Sequence, residues 1–335
     1  MKPMKAVNLG GWFVLEKWMR PSLFNEYPNI PMRCETSFVL NHPNALSALE
    51  AHWQSWITKD DIIWLKNQGI EVVRIPIPWW LFPEKYVFPY PYHTPIKYLD
   101  QAMDMIHEVG LKVMLDLHTA PGSQNGFDNG GIDGVLTWHH DSKNIEVTLD
   151  VLEDIAKRYK DHPALHSLQV LNEPHWTIDM ALMQDFYVRA YHRLRNVLHK
   201  STYIVFHDSF RFEPWKAFFT ANPMENVILD THRYQCFGDH FTKLSADEFL
   251  AFPATIVAEM KDMETVVPVI VGEWSLGAKQ YEFNGTRDEF ERRFALAQLE
   301  AYNQVSGWVF WSYKIAEYHS GWNFRSLVER QILKP

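Results

Sequence analysis

The segment TKDDIIWLKNQGIEVVRIPI, residues 58–77, contains one complete helix-to-strand unit, and the fold follows from its repetition. Thr58 and Asp61 have the spacing of a capping box, which marks the start of a helix. Apolar residues follow at helical spacing as far as Gly69, the residue type that most often ends a helix. The run EVVRIPI then has the character of a buried strand. The segment therefore predicts a helix that leads directly into a strand.

The same order of elements recurs along the chain. Helical patterns precede strand-like runs in residues 94–118, 144–174, 183–208, 245–274 and 286–314. Together with MKAVNLGG at the start and NVILDTHRY in the middle, they predict eight strands beginning near residues 4, 71, 112, 167, 202, 226, 268 and 307. Several runs are continuously apolar, as parallel strands buried on both faces are. We therefore expect an α/β protein, a single (β/α)8 TIM barrel over residues 1–335.

The composition limits the classes of partner. The chain has 32 Lys+Arg and 41 Asp+Glu, a formal net charge of −9, which argues against binding to nucleic acid or to an anionic membrane surface. Cys34 and Cys236 are too few for a disulfide framework; free thiols are expected, with one bridge between them as the alternative. No secretory signal or bilayer-length apolar run is apparent, so a cytoplasmic location is expected, or a secreted one if a leader was removed. No feature indicates an obligatory protein partner.

Aromatic residues make up 15% of the chain, with 14 Trp, 14 Tyr and 21 Phe. Aromatic rings fill cores, but they also stack on the apolar faces of sugars, whose hydroxyls need fixed polar partners. Tryptophan beside Asn, His and Glu therefore favours a carbohydrate cleft.

Polar residues are concentrated where the predicted strands end, which is where a barrel of this kind places its chemistry. Glu173 in LNEP and Glu273 in VGEW each close an apolar strand. If these are strands 4 and 7, the two side chains can face each other across the barrel mouth. Retaining glycosidases use two carboxyl groups about 5–5.5 Å apart. The alternative is that each glutamate caps a helix or pairs with an arginine, but the neutral and aromatic neighbours favour a catalytic pair.

Several motifs give the chain a resemblance to a known family. They are NLGGWFVLE at 8–16, VRIPIPWW at 73–80, DLHTAPGSQNGFDNGG at 116–131, LNEP at 171–174, HRYQCF at 232–237, VGEWS at 271–275 and GWVFWSYK at 307–314. In this order they resemble the exo-β-1,3-glucanase branch of glycoside hydrolase family 5 over nearly the whole chain. The resemblance implies a retaining double displacement without metal or cofactor, with Glu173 as general acid/base and Glu273 as nucleophile.

The resemblance also implies substrate-binding roles for nine further residues. They are Glu16, Arg74, His118, Phe127, Asn172, His232, Tyr234, Phe237 and Trp311. Glu16 would hold hydroxyls at the non-reducing end, Trp311 would form the sugar platform, and Phe127 and Phe237 would grip the aglycone at the entrance. Structural alternatives stay open: Glu16 as a surface partner of Lys17 or Arg20, and the histidines and aromatic residues as core or loop packing.

Two other motifs do not support a metal or cofactor. PGSQNGFDNGG lacks the Lys-Ser/Thr ending of a phosphate-binding loop, and it follows the third strand. His139, His140 and Asp141 are adjacent, and three adjacent ligands cannot surround one ion without distant help. No metal site and no cofactor are expected.

The expected function is a β-glycosidase that releases glucose from the non-reducing end of β-1,3-linked oligosaccharides, or from a small β-glucoside. An endo-β-1,4-glucanase or a diglycosidase would use the same two glutamates. A non-catalytic carbohydrate-binding barrel and an aldolase-like enzyme with Lys314 as Schiff-base nucleophile are the alternatives from other classes.

Overall fold

A computed structural model describes residues 2–278 and 285–335, and a closed barrel of eight parallel strands forms its centre. Neighbouring strands pair in chain order, and the last strand pairs with the first. The strands β1 to β8 are Met4–Asn8, Val72–Ile77, Lys112–Leu117, Leu165–Gln169, Tyr203–His207, Val227–His232, Val269–Trp274 and Gly307–Phe310. All eight begin within two residues of the predicted positions, which confirms the (β/α)8 barrel.

Twelve α-helices lie in the described part of the chain. As α1 to α12 they are Pro21–Phe24, Glu35–Asn41, Ala45–Ser55, Lys59–Asn67, Ile96–Val109, Ser142–Tyr159, Met180–Arg195, Pro214–Ala221, Ala246–Thr255, Val257–Met263, Arg287–Tyr302 and Phe324–Glu329. The capping box of Thr58 and Asp61 starts α4 as predicted. Within residues 2–278 and 285–335, no helix combines the length and apolar character that crossing a membrane requires.

One predicted helix is interrupted. The pattern over residues 245–260 forms two helices, α9 and α10, which meet at Ile256. Pro253 lies in the last part of α9, and its ring nitrogen cannot donate to the carbonyl of Phe249. The side chain of Gln235 donates to that carbonyl instead, at 2.8 Å. The break therefore comes with a compensating hydrogen bond from the segment after β6.

The barrel interior changes from apolar to polar along the strands. Seven apolar side chains form a separate core cluster near the N-terminal ends: Ala6, Val72, Met114, Val205, Ile228, Ile270 and Val309. Strand residues two apart face the same side, so the next inward positions lie one layer nearer the C-terminal ends. Those positions include Asn8, Arg74, Asp116, His207 and Asp230, all completely buried. An apolar cluster thus fills the N-terminal end of the barrel, and a buried polar layer lies between it and the barrel mouth.

The β1–β2 connection contains α1, α2 and α3, which the sequence pattern did not predict because α1 and α2 are too short to show a helical period. Cys34 and Cys236 are both buried and are not joined by a disulfide.

His52 in α3 makes the stability of this connection depend on pH. Its Nδ1 accepts from Arg20 and its Nε2 donates to the carbonyl of Gly11, each at 2.7 Å. Burial and the charge of Arg20 lower its pKa to about 3. An unfolded chain binds this proton near pH 6.5, so the free energy of unfolding should fall as the pH falls from about 6.5 towards 3.

We expect His52→Gln, which keeps a donor and an acceptor, to make the pH dependence of the unfolding free energy shallower between pH 7 and 4. Urea unfolding at several pH values measures this slope, with the exposed His319→Gln as the matched control. An unchanged slope in His52→Gln would show that His52 does not contribute to it.

Candidate active site

Arg74 occupies the centre of the polar layer and is completely buried. Its guanidinium donates to four side chains at 2.7–2.9 Å: Asn8, Gln169, Asn172 and Glu273. Asp116 lies 3.1 Å from its Nη2. These contacts tie the ends of four strands, β1, β3, β4 and β7, or the residues that follow them, to one cation on β2. Arg74 thus neutralises buried acids and orients Glu273 at the same time.

Glu173 and Glu273 lie on opposite sides of the mouth and share one histidine. His232 Nδ1 is 2.7 Å from Glu173 Oε1 and 3.4 Å from Glu273 Oε2. By the sum of these distances, the two carboxylate oxygens lie within about 6 Å of each other, below the roughly 6.5–9.5 Å of inverting glycosidases. Glu173 follows β4 with a φ of 46°, a left-handed backbone that is uncommon outside glycine and recurrent at functional sites. This upper limit excludes the wider spacing of an inverting pair and is compatible with the spacing of a retaining pair.

Glu273 is held by two hydrogen-bond donors at the base of the cavity. Burial and the charge of Glu173 raise its pKa above the ordinary value, although the charges of His232 and Arg74 oppose this rise. Arg74 Nη1 donates to Oε1 at 2.9 Å, and the hydroxyl of Tyr234 donates to Oε2 at 2.8 Å. Both oxygens are therefore held by donors, which fixes the carboxylate in one orientation.

The hydrogen bond between Glu173 and His232 shifts the pKa of both groups. Burial alone would raise the pKa of Glu173, but the hydrogen bond and charge of His232 lower it to about 2. Burial alone would lower the pKa of His232, but Glu273 and Asp230 raise it well above its usual value. The proton of the unliganded pair therefore rests on His232, one 2.7 Å hydrogen bond away from Glu173.

A cavity of about 830 Å³ opens above the two carboxylates. It is lined by Glu16, Trp18, Phe127, Asp128, Asn129, Asp133, Glu173, Trp176, Phe210, Tyr234, Phe237, Glu273, Trp311 and Trp322. Seven of the eleven predicted site residues are in this lining. The other four, Arg74, His118, Asn172 and His232, lie beneath it in the hydrogen-bonded layer. The structure thus brings all eleven to one site, while their individual roles remain predictions.

His118 is completely buried and orients the aromatic platform. Its Nδ1 is 2.5 Å from Asp116 Oδ2, and its ring stacks on Trp311 with centroids 5.7 Å apart and an interplanar angle of 8°. Trp311 is itself nearly buried, with one part facing the cavity. Trp311 therefore packs in a core cluster with Met19 and Ile315 and also lines the cavity.

Glu16 faces the cavity and has neither of the surface partners considered for it. Its carboxylate accepts from Trp18 Nε1 at 2.9 Å. Lys17 instead donates to the carbonyl of Met32, and Arg20 contacts His52. Burial and the charge of Asp128 raise the pKa of Glu16 well above its usual value.

Seven cavity-lining residues were not predicted: Trp18, Asp128, Asn129, Asp133, Trp176, Phe210 and Trp322. Asp128 and Asn129 directly follow Phe127, and Trp176 is three residues after Glu173, so proximity to predicted residues was an available signal. Phe210 and Trp322 come from loops after β5 and β8, and only the folded barrel brings them here.

Glu173, His207 and His232 have ligand atoms within 4.8 Å of one another, the spacing of a metal site. The hydrogen bonds do not suit a metal, however. His207 Nδ1 accepts from the backbone of Ser209, so the neutral ring carries its proton on Nε2, the atom left to bind a metal. His232 has both nitrogens engaged by Glu173 and Asp230. These three residues therefore suit a hydrogen-bonded network that holds protons better than they suit a metal site.

Lys314 lies outside the cavity lining. Its Nζ pairs with Asp61 at 3.0 Å and lies over the ring of Trp56. A substrate bound in this cavity would therefore not reach Lys314 to form a Schiff base.

We expect Arg74→Met to lower the free energy of unfolding by about 3–5 kcal/mol, because it leaves Asp116 and Glu273 as buried acids without their cation. Urea unfolding at pH 7 measures the loss, with the exposed Arg292→Met as control. A stability equal to that of the unmodified chain would contradict the central role of Arg74 in this layer.

Comparison with known proteins places these features in a family. The model of the family Cellulase (glycosyl hydrolase family 5) matches residues 37–317. A glucan 1,3-beta-glucosidase of Candida oleophila is 34% identical over 98% of this chain and 88% of its own length. One of Blumeria graminis is 31% identical over 98% of this chain and 86% of its own length.

Solved structures show the same fold. A rutinosidase from Aspergillus niger is 22% identical and superposes with a TM-score of 0.82 over 99% of this chain and 98% of its own. An endoglucanase of Pseudomonas stutzeri is 19% identical, with a TM-score of 0.62 over 99% of this chain and 97% of its own. With the family match and the relatives above 30% identity, the chain belongs to glycosyl hydrolase family 5.

Proposed function

We propose that this family member is a retaining exo-β-glucosidase that removes glucose from the non-reducing end of short β-1,3-linked oligoglucosides. The observation that carries the proposal is the carboxylate pair, Glu173 and Glu273, held within about 6 Å by His232 at the base of a cavity. The 1,3 linkage is supported by the names of relatives that align over 98% of this chain.

Glu273 is the nucleophile in this proposal. Arg74 and Tyr234 hold its two oxygens, so the ionised carboxylate can attack the anomeric carbon and form a glycosyl-enzyme. The bond from the anomeric carbon to the leaving oxygen breaks in the same step. Asn172, next to Glu173 and hydrogen-bonded to Arg74, is the residue that we propose binds the 2-hydroxyl of the sugar.

Glu173 is the general acid and then the general base. Because the proton rests on His232 in the unliganded protein, it must move along the 2.7 Å hydrogen bond to Glu173 before the leaving oxygen takes it. Once Glu173 has protonated the leaving group, its carboxylate can remove a proton from the incoming water. Asn129, which donates to Oε2 at 3.0 Å, keeps that carboxylate turned towards the cavity.

The exo mode is supported by Glu16, a buried acid in the cavity lining that none of the steps above uses. Carboxyl oxygens accept hydrogen bonds from the hydroxyls of a terminal sugar, as Asn, Asp and Glu do in carbohydrate sites generally.

The test is product mapping on β-1,3- and β-1,4-linked tri- to pentasaccharides that are labelled at the reducing end. Proton NMR of the first product released reports its anomeric configuration. We expect glucose as the first product, with retained β configuration, from β-1,3-linked chains. Mixed internal fragments would instead indicate an endoglucanase, release of a disaccharide would indicate a diglycosidase, and α-glucose as first product would contradict the retaining pair.

A further inference from the structure

The start of α2 carries a buried acid that no step described above uses. Glu35 is the first residue of this helix and is completely buried. Its Oε2 accepts from the backbone N–H of Leu15 at 2.8 Å, and its Oε1 has no hydrogen-bond partner in the part of the chain that the structure describes. Leu15 directly precedes Glu16, the buried acid of the cavity lining. Glu35 therefore holds the backbone next to Glu16.

Residues 15–17 run antiparallel to residues 32–35 and contact them at each step. The contacts join Leu15 with Glu35, Glu16 with Cys34, and the Nζ of Lys17 with the carbonyl of Met32 at 3.0 Å. The contact of Lys17 is partly exposed, whereas the hydrogen bond between Leu15 and Glu35 is buried. A buried N–H group needs an acceptor. Loss of the Glu35 carboxyl would therefore release this segment at a buried point beside Glu16.

The carboxyl of Glu35 acts through its hydrogen bond rather than through its charge. Burial raises its pKa to about 8, although the hydrogen bond from Leu15 opposes this rise. The protonated form therefore prevails at pH 7. Burying a polar oxygen without a partner costs stability, so packing alone would favour an apolar side chain of the same length. The feature that distinguishes Glu35 from such a side chain is its hydrogen bond to Leu15.

The backbone position of Glu16 decides which hydroxyls of a terminal sugar its carboxyl can reach. Hydrogen bonds weaken steeply outside a narrow range of distance and angle, so a small shift of this backbone would lose them. We propose that Glu35 is a positioning residue for the cavity: by holding Leu15, it fixes Glu16 where the terminal sugar binds. The inference rests on the proposed function, in which Glu16 binds that sugar.

The kinetic test uses 4-nitrophenyl β-glucoside and two substitutions of Glu35. Glu35→Met keeps a side chain of similar length without an acceptor for Leu15, whereas Glu35→Gln keeps an acceptor. We expect kcat/KM to fall about tenfold in Glu35→Met and less than about twofold in Glu35→Gln, because a displaced Glu16 no longer meets the sugar hydroxyls. Losses of equal size in the two variants would overturn the proposal.

Glu291→Met is the matched control. Glu291 in α11 is also a buried acid with one oxygen that has no hydrogen-bond partner among the described residues, but it does not line the cavity. Its substitution should leave the kinetics of the glucoside unchanged. A loss in Glu291→Met as large as that in Glu35→Met would assign the effect to the removal of a buried acid in general.

A double-mutant cycle with Glu16→Ala separates positioning from general damage to the fold. If Glu35 acts through Glu16, Glu35→Met should cost less than about twofold in kcat/KM once residue 16 is already alanine. The same tenfold loss in both backgrounds would overturn the proposal. Should Glu35→Met fail to fold, Glu35→Asp, whose carboxyl is one methylene too short for Leu15, takes its place in the cycle with the same two outcomes.

Amide hydrogen exchange tests the contact without turnover. Mass spectrometry of the peptide around Leu15 should show faster exchange in Glu35→Met than in the unmodified chain or in Glu35→Gln. Unchanged exchange would overturn the positioning role even if β-glucosides are cleaved. Faster exchange in a protein whose unmodified chain cleaves no β-glucoside would reject the proposed function and support Glu35 as the residue that holds Leu15 and Glu16.

Discussion

Glu273→Ala is expected to reduce kcat/KM for an aryl β-glucoside by roughly 10⁴-fold or more, because no other group can form the glycosyl-enzyme. Sodium formate or azide should restore part of the activity with an activated aryl glucoside, since a small anion fits the space left by the carboxylate and attacks in its place. Initial rates with and without the anion measure both effects.

The exposed Glu300→Ala is the control for Glu273→Ala, and its kinetics should equal those of the unmodified chain. Urea unfolding should show that Glu273→Ala is folded under the assay conditions. A folded Glu273→Ala variant with near-normal activity would remove Glu273 as the nucleophile.

Glu173→Ala is expected to reduce kcat/KM in proportion to how poor the leaving group is. For an alkyl glucoside or an oligosaccharide the loss should be about 10²–10⁴-fold, because the leaving oxygen then departs without a proton. For 2,4-dinitrophenyl β-glucoside the loss should be small, since this leaving group departs as a stable anion. A series of aryl β-glucosides with graded phenol pKa values measures the slope.

The slope of that series distinguishes acid catalysis from a structural role of Glu173. The unmodified chain should show a shallow dependence on leaving-group pKa and Glu173→Ala a steep one. A uniform loss across the series would assign Glu173 to substrate positioning rather than to proton transfer. His232→Gln should also steepen the dependence, because the proton of Glu173 is drawn from His232.

The barrel was predictable from the chain because its elements repeat with clear boundaries. Thr58 starts a helix with a capping box, Gly69 and Gly110 follow helix ends, and each following run is a buried strand. The carboxyl ends of parallel strands lie at one mouth of a closed barrel, so the convergence of Glu173 and Glu273 follows from topology.

The rest of the site depends on loops, which carry little periodic signal. Glu16 pairs with Cys34, and the backbone N–H of Leu15 donates to Glu35 in α2. Helices α1 and α2, with four and seven residues, are too short for a hydrophobic period to reveal them. Phe210 and Trp322 line the cavity. The turns that carry them take their geometry from tertiary contacts. Pairwise pKa effects, such as the lowered pKa of Glu173 beside His232, also require distances that a sequence does not contain.

The central claim is that Glu273 forms a covalent bond to the sugar while Glu173 serves as acid and base. Incubation with 2-deoxy-2-fluoro-β-glucosyl fluoride traps a glycosyl-enzyme, because the fluorine at C2 slows both its formation and its hydrolysis, whereas the good fluoride leaving group speeds only its formation. Peptide mass spectrometry should locate one fluoroglucosyl group on Glu273. A label on another residue, or turnover of ordinary substrates with no adduct under trapping conditions, would contradict the account.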